Sequence, residues 1–229
     1  RKLLNIFELV INTQNTKNIS ITNDLVMASA QENVALYDKT GEQHYDIISA
    51  FIKSIRGSDP NAAVYWLARM LEGGEDIKFI ARRLIILASE DIGNANPKAL
   101  VIANNCFQSI NVIGMPEARI ILSQTAIYLA SSAKSNASYM AINMAQESVR
   151  EQGALSVPLE LRNAPTKLMK DLNYGKEYDY AHNYENNFVK QEYMPDEIKG
   201  QTFYEPGNND RERQIRKFLK ERWNGKYNY

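Results

Sequence analysis

The sequence predicts an all-α fold, an irregular bundle or array of helices. Apolar residues recur at three- and four-residue steps through most of the chain, which is the spacing of one helix face. Most of the breaks between these periodic segments are two to six residues long. Such short connections make neighbouring helices pack against each other. No long stretch alternates apolar and polar residues as a strand would, and no repeat predicts a solenoid.

Residues 1–36 are expected to be the end of a preceding domain. A helical face that is already under way at residue 1 carries Leu3 and Phe7, and Thr22 can cap a short second helix. The chain begins within this helical pattern and without an initiator methionine. We therefore expect it to be a piece of a longer protein.

Residues 37–162 are predicted to form one helical domain. Asp59 and Pro60 supply a cap and a first-turn proline, and Gly73 follows where that helix should end. Similar signals bound the other helices, with Ser135 and Asn136 as the caps of the last one. The predicted helices cover residues 45–55, 60–71, 77–88, 97–113, 116–130 and 137–152.

Residues 163–229 are expected to form an extended strap followed by a helix. After a brief helix at 166–172, residues 174–208 lose periodicity and contain six tyrosines and two phenylalanines. An irregular segment with this many aromatic residues is expected to pack onto the helical body. The chain closes with an amphipathic helix whose apolar face carries Ile215, Phe218, Leu219 and Trp223.

Composition places limits on partners and compartment. The 27 basic and 27 acidic residues cancel, so attraction to nucleic acid requires a local basic patch. The single cysteine, Cys106, has apolar neighbours and suits a reducing compartment. No apolar run approaches the roughly 20 residues of a membrane span. We expect a cytoplasmic protein.

The last helix is the local basic patch. Between Asp210 and Lys226 there are seven basic and three acidic residues, a local excess of four positive charges. One interpretation is a solvated helix face; the other is a phosphate-contacting patch on which Trp223 and Tyr227 stack against bases. The candidate DNA-contacting residues are Arg211, Arg213, Arg216, Lys217, Lys220, Arg222 and Trp223.

Two carboxylates, Glu90 and Asp91, are predicted at a helix C-terminus, where the helix dipole disfavours negative charge. A neighbouring group should offset this cost. We expect either ion pairs with Arg82, Arg83 or the start of the next helix, or a contact with another subunit.

The sequence holds no recognisable catalytic motif. The Lys-Ser pairs that begin at Lys53 and Lys134 lack the glycines of a phosphate-binding loop. His44, His182 and Cys106 show no metal-ligand spacing. We expect no catalytic centre, cofactor or metal in this chain. An independent hydrolase stays an alternative, because spacing alone does not decide which side chains meet in the fold.

Several strings resemble a known family. The longest are YDKTGEQHYD, from Tyr37 to Asp46, and ISAFIKSIRGSDP, from Ile48 to Pro60. The chain resembles the RarA family of AAA+ ATPases, also called MgsA, whose eukaryotic relatives are the Werner helicase-interacting proteins. The resemblance extends from residue 1 to about residue 206. Further matches are Tyr65–Met70, Arg82–Leu84, Ser89–Gly93, Gly114–Glu117, Tyr128–Ala130 and Lys134–Asn136.

The resemblance implies a role that composition does not reveal. Members are related to clamp loaders, form homotetramers through the helical region after the ATPase module, and act at stalled replication forks and DNA ends. ATP and magnesium would be bound by the rest of the longer protein. Arg1 resembles the arginine that ends the Gly-Asp-x-Arg motif of the lid, where it would sense the nucleotide.

Two hypotheses follow. The first is an oligomerisation module, with residues 1–36 as the lid remnant and 37–162 as the tetramerisation domain. The second is a module that binds single-stranded, forked or end DNA, or a single-stranded-DNA-binding protein, through the basic helix and the aromatic strap. The two are compatible.

Overall fold

The computed structural model describes residues 11, 21–23 and 42–229. Within these residues the regular elements are all helical and no strand is present, which confirms the all-α prediction. Apart from Ile11 and residues 21–23, the elements predicted in 1–36 lie outside the described residues. The α-helices with described bounds are α1 Glu42–Arg56, α2 Pro60–Glu72, α3 Ile77–Leu87, α4 Lys98–Ile113, α5 Ala118–Ala130, α6 Ala137–Gln152, α7 Lys167–Asp171 and α8 Asp210–Trp223.

The helix starts follow the capping rules. The Asp59 carboxylate accepts a hydrogen bond of 2.9 Å from the N–H of Ala62, and Pro60 is the first residue of α2. Of the two residues predicted to cap α6, one is confirmed. Ser135 Oγ accepts from the N–H of Ala137 at 3.2 Å, whereas the side chain of Asn136 makes no capping hydrogen bond.

The connection after α3 is tighter than the sequence predicted. A π-helical turn, Ala88–Ile92, leads into a 3₁₀ turn, Gly93–Ala95. Gly93 has a φ of +48°, and a β-carbon on it would lie 3.1 Å from the carbonyl oxygen of Ser135. The N–H of Ser135 in turn donates to the Asp91 carbonyl at 2.8 Å. Backbone contacts therefore join this connection to the start of α6.

The first of two compact units comprises the described residues up to Ala88 together with Lys98–Ser132. Its central element is α5, which packs against α1, α2, α3 and α4. Leu122, Ala126 and Leu129 of α5 are completely buried. Burial of a leucine side chain contributes about 1.5–3 kcal/mol, so α5 supplies the centre of this core.

The second compact unit comprises Ser89–Pro97 and Ala133–Tyr229. The turn Gly93–Ala95 contacts both α6 and α8. Helix α6 is mostly accessible to solvent, since Ser148 is its one buried residue. The three segments expected from sequence, 1–36, 37–162 and 163–229, stay predictions about domain organisation.

The predicted strap is irregular, as expected. Between α6 and α8 the chain contains α7 and short 3₁₀ turns at 159–161, 181–183, 185–187 and 196–198. Its two ends differ. Phe203 and Tyr204 line a cavity with Ala141 and Ala145 of α6, whereas Tyr178 and the tyrosines at 180 and 184 are exposed.

Candidate functional site

The start of the basic helix α8 is anchored by a buried carboxylate. Glu212 is completely buried. Its Oε2 accepts a 2.6 Å hydrogen bond from the Asn209 side chain, which itself caps the N–H of Glu212 at 3.0 Å. The Tyr204 hydroxyl lies 3.5 Å from Oε1. This cluster fixes where the helix begins and how the end of the strap enters it.

From the sequence alone, Glu212 is one of three negative charges on a basic helix. The signal that could have found it is the spacing Asn209-x-x-Glu212, which matches the capping-box pattern of a polar cap and a carboxylate three residues on. Gly207 is part of the same cluster, because a β-carbon on it would lie 2.6 Å from Glu212 Oε2.

Several of the predicted DNA-contacting residues make contacts within the fold. Arg216 donates to the Pro206 carbonyl and lies 3.6 Å from the Glu205 carboxylate. The Arg222 guanidinium lies over the Phe218 ring of the same helix, 3.5 Å from its centroid, and 5.9 Å from the centroid of Phe188 in the strap. Part of the positive charge on α8 therefore holds the strap in place.

The rest of the positive charge faces solvent. Arg213, Lys217 and Lys220 are exposed and lie three and four residues apart, so they form one stripe along α8, which we call the basic stripe. Arg213 bonds to Asp210 and to the Asn208 carbonyl. Arg211 lies elsewhere, at an apolar pocket of about 610 Å³.

Trp223 lies in an aromatic cluster of the strap. Its ring meets Phe188 edge to face at a centroid distance of 5.2 Å, with Tyr193 at 6.2 Å and Tyr227 at 5.7 Å. The Lys226 ammonium lies 4.6 Å from the Trp223 ring and 2.8 Å from a Glu192 oxygen. The partner carboxylate raises the pKa of Lys226 although burial opposes it. This packing gives Trp223 a structural role.

The four charged residues near the end of α3 are distributed over both compact units. Arg82 lies 4.0 Å from Asp76 and over the Phe79 ring, and Arg83 is half-buried in the same unit. Glu90 and Asp91 lie on the π-helical turn of the other unit. The Lys134 pKa is lowered by burial and raised by the charge of Asp91. Lys134 is thus a cation that the sequence did not propose for Asp91.

An apolar groove with a volume of about 850 Å³ lies between α2 and α5 of the first unit. Leu67 lies buried at its base, and Ile120 and Ile127 are 57% and 43% exposed along it. The central helix of the unit therefore leaves one apolar face uncovered. Periodicity does not distinguish Ile120 and Ile127 from the buried residues of α5, because apolar side chains occur on several sides of this helix.

Helix α6 carries a second exposed apolar surface. Tyr139, Ile142 and Val149 lie on one face and are exposed, Ile142 by 54% and Val149 by 64%. Met140 and Met144 are exposed beside them. An apolar surface of this extent is typical of an interaction site.

The described residues contain no group of three or more potential metal ligands from His, Cys, Asp and Glu. Cys106 is buried, and burial raises the pKa of its thiol. None of the helices described is both long enough and apolar enough to cross a membrane.

The sequence profile of the family described as MgsA AAA+ ATPase C terminal matches residues 57–223. The chain belongs to this family. The profile described as AAA C-terminal domain matches residues 1–56. The resemblance on which the MgsA interpretation depends is therefore confirmed. Arg1 falls in the second match and lies outside the described residues.

Curated relatives of this MgsA family member include proteins named Replication-associated recombination protein A. The one from Coxiella burnetii is 43% identical over 222 residues, which are 96% of this chain and 50% of the relative. The one from Bacillus subtilis is 43% identical over 209 residues, 90% and 49% of the two chains. ATPase WRNIP1 of Dictyostelium discoideum is 42% identical over 190 residues, 82% and 22%. The chain spans about half the length, or less, of the curated relatives it matches.

Replacing Glu212 tests the anchor of α8. Glu212→Ala leaves the polar groups of Asn209 and Tyr204 without their buried acceptor, so the free energy of unfolding should fall by about 1–3 kcal/mol. The matched control is Glu221→Ala, at an exposed position of the same helix, which should change it by less than about 0.5 kcal/mol. Urea unfolding measures both, and equal effects would contradict an anchoring role.

Proposed function

We propose that this chain is the C-terminal tetramerisation region of a DNA-dependent AAA+ ATPase that acts in replication-fork maintenance, recombination and DNA repair. The names of its relatives support the setting: replication-associated recombination, and an ATPase. The chain itself performs no catalysis in this proposal. ATP and magnesium are bound by the rest of the longer protein, and Arg1 senses the nucleotide there.

The assembly proposal rests on apolar surfaces that are exposed to solvent. The α2–α5 groove and the outer face of α6 place isoleucine, valine and methionine side chains in solvent. Burying such side chains is favourable by about 25 cal/mol per Å². A second copy of the chain is the partner that is always present, and closed symmetric assemblies are the common result of self-association. Arg82, Arg83, Glu90 and Asp91 serve this assembly as structural ion pairs or as subunit contacts.

The assembled mass tests this proposal. We expect light scattering at micromolar concentration to give four times the 26.1 kDa mass of the chain, because copies whose apolar faces bury one another stay assembled at concentrations above the dissociation constant. A mass of one chain at high micromolar concentration would contradict assembly, and a mass of two chains would contradict the tetramer.

DNA binding by α8 is the second function we propose. The basic stripe places three cations on one exposed helix face in a chain with no net charge, which is the local patch that phosphate contacts require. Arg211, Arg216 and Arg222 are further candidate phosphate contacts, and of these Arg211 and Arg222 lie on the opposite side of α8 from the stripe, at about 3.6 residues per turn. The ligands are single-stranded DNA, DNA ends or forks, and the proposed location is the nucleoid in the cytoplasm.

Charge reversal tests the stripe better than truncation does, since deleting α8 would also remove the buried Glu212. We expect Lys217→Glu/Lys220→Glu to weaken binding to single-stranded DNA. The slope of log affinity against log salt should fall by about 0.7 for each lost phosphate contact. A fluorescence titration at several salt concentrations measures both.

The matched control is Lys167→Glu/Lys170→Glu on α7, which makes the same charge change at the same spacing on an exposed helix. Equal losses in the two variants would show a nonspecific charge effect and would exclude the stripe. Repeating the titration with a single-stranded-DNA-binding protein as the ligand separates that partner from DNA.

A further inference from the structure

The residues that line the groove between α2 and α5 have the spacing expected of a binding site for one more helix. Its α2 wall is formed by Val64, Ala68 and Leu71, with Leu67 at the base, and its α5 wall by Ile120, Ser123, Gln124 and Ile127. Each wall follows the i, i+3, i+4, i+7 spacing of a single helix face. Apolar helices bind grooves of this kind through side chains at the same spacing.

Helix α6 presents a ridge with the complementary pattern. Tyr139, Ile142, Gln146 and Val149 are three, four and three residues apart, and all four are exposed. They form one line along the helix, which we call the α6 ridge. A helix binds in a hydrophobic groove through residues at this spacing.

The distribution of charge on the two surfaces also matches. The ten residues Ala137–Gln146 of α6 carry no charged side chain and span about 15 Å. The charges of α6, Glu147, Arg150 and Glu151, are confined to its last six residues. In the groove the charged lining residues are Glu72, at the end of α2, and Arg119, in the first turn of α5. An uncharged ridge meets an uncharged groove centre, and each surface carries both signs of charge at its edge.

We propose that the α6 ridge of one copy binds in the α2–α5 groove of a second copy, so that the chains assemble head to tail. This inference rests on the proposed assembly function and identifies its two surfaces. Every copy offers one groove and one ridge, and such a heterologous contact adds copies until a ring closes. In the proposed tetramer four identical contacts close the ring.

A charge exchange across the contact tests the pairing. Ile120→Glu places a carboxylate in the groove and Ile142→Lys places an ammonium on the ridge. Both positions are more than half exposed, so neither change disturbs the core. Each single variant should weaken assembly at least tenfold, because a lone charge would be buried at the contact. The combined variant Ile120→Glu/Ile142→Lys should recover most of it, since the two charges then face each other.

The control position is Val112, which is 87% exposed on α4 and lies on neither surface. Val112→Glu and Val112→Lys should leave the assembled mass unchanged. Light scattering over a dilution series gives the dissociation constants, and thermal unfolding verifies that each variant is folded. A groove variant that assembles normally, or a combined variant no better than the single ones, would overturn the pairing.

Disulfide trapping gives a second, independent measurement. Gln124 lines the groove and Gln146 lies on the ridge, and both are exposed. After mild oxidation, a mixture of Gln124→Cys and Gln146→Cys chains should give a disulfide-linked pair that neither chain gives alone. A Gln146→Cys chain that links efficiently to itself would show a ridge-to-ridge contact and would overturn the proposal.

These measurements distinguish a failure of the assembly function from a failure of the groove and the ridge as its contact surfaces. A wild-type chain that stays monomeric contradicts the assembly function itself. A wild-type assembly whose mass is unaffected by Ile120→Glu and Ile142→Lys leaves that function standing and removes only the groove and the ridge from it. A groove that binds small apolar molecules but no second copy also contradicts the head-to-tail contact.

Discussion

The packing around helix α5 determines the first unit and, through it, the surface available for assembly. Four helices surround α5 and bury Leu122, Ala126 and Leu129 completely. A helix in a close-packed core has room for a limited number of neighbours. Four helices pack against α5, and its remaining side is exposed to solvent. That side carries the apolar Ile120 and Ile127 together with the polar Ser123 and Gln124. The groove is therefore a consequence of how the core is built.

The second unit depends on a polar constraint. A buried carboxylate costs several kcal/mol unless hydrogen bonds compensate it. Glu212 obtains them from Asn209 and Tyr204, which fixes both the start of α8 and the last part of the strap. Once α8 is held in this way, Arg216 and Arg222 are drawn into contacts with the strap, and the basic stripe is the part of the charge that stays outside.

The sequence predicted the helices well because their ends depend on local chemistry. Asp59, Pro60 and Thr166 act where the capping rules place them. What periodicity could not predict is which apolar residues meet a neighbour. Phe218 was expected on the buried face of α8, yet it is half exposed beneath Arg222. Glu212, counted from the sequence only as a charge, is the most buried residue of that helix. Its burial depends on a tertiary partner in the strap, Tyr204, whereas Phe218 is covered in part by Arg222, one turn further along α8.

Hydrogen–deuterium exchange above and below the concentration of assembly tests most directly whether this chain is an assembly region that works through these two surfaces. If these surfaces form the contact, peptides from α5 and α6 exchange more slowly in the assembled state, while a peptide from α4 is unchanged. Slower exchange requires that the uncovered faces of α5 and α6 become buried. The opposite result would be equal exchange in α5 and α6 at both concentrations, in a sample whose measured mass shows that it assembles. These two surfaces would then not form the contact.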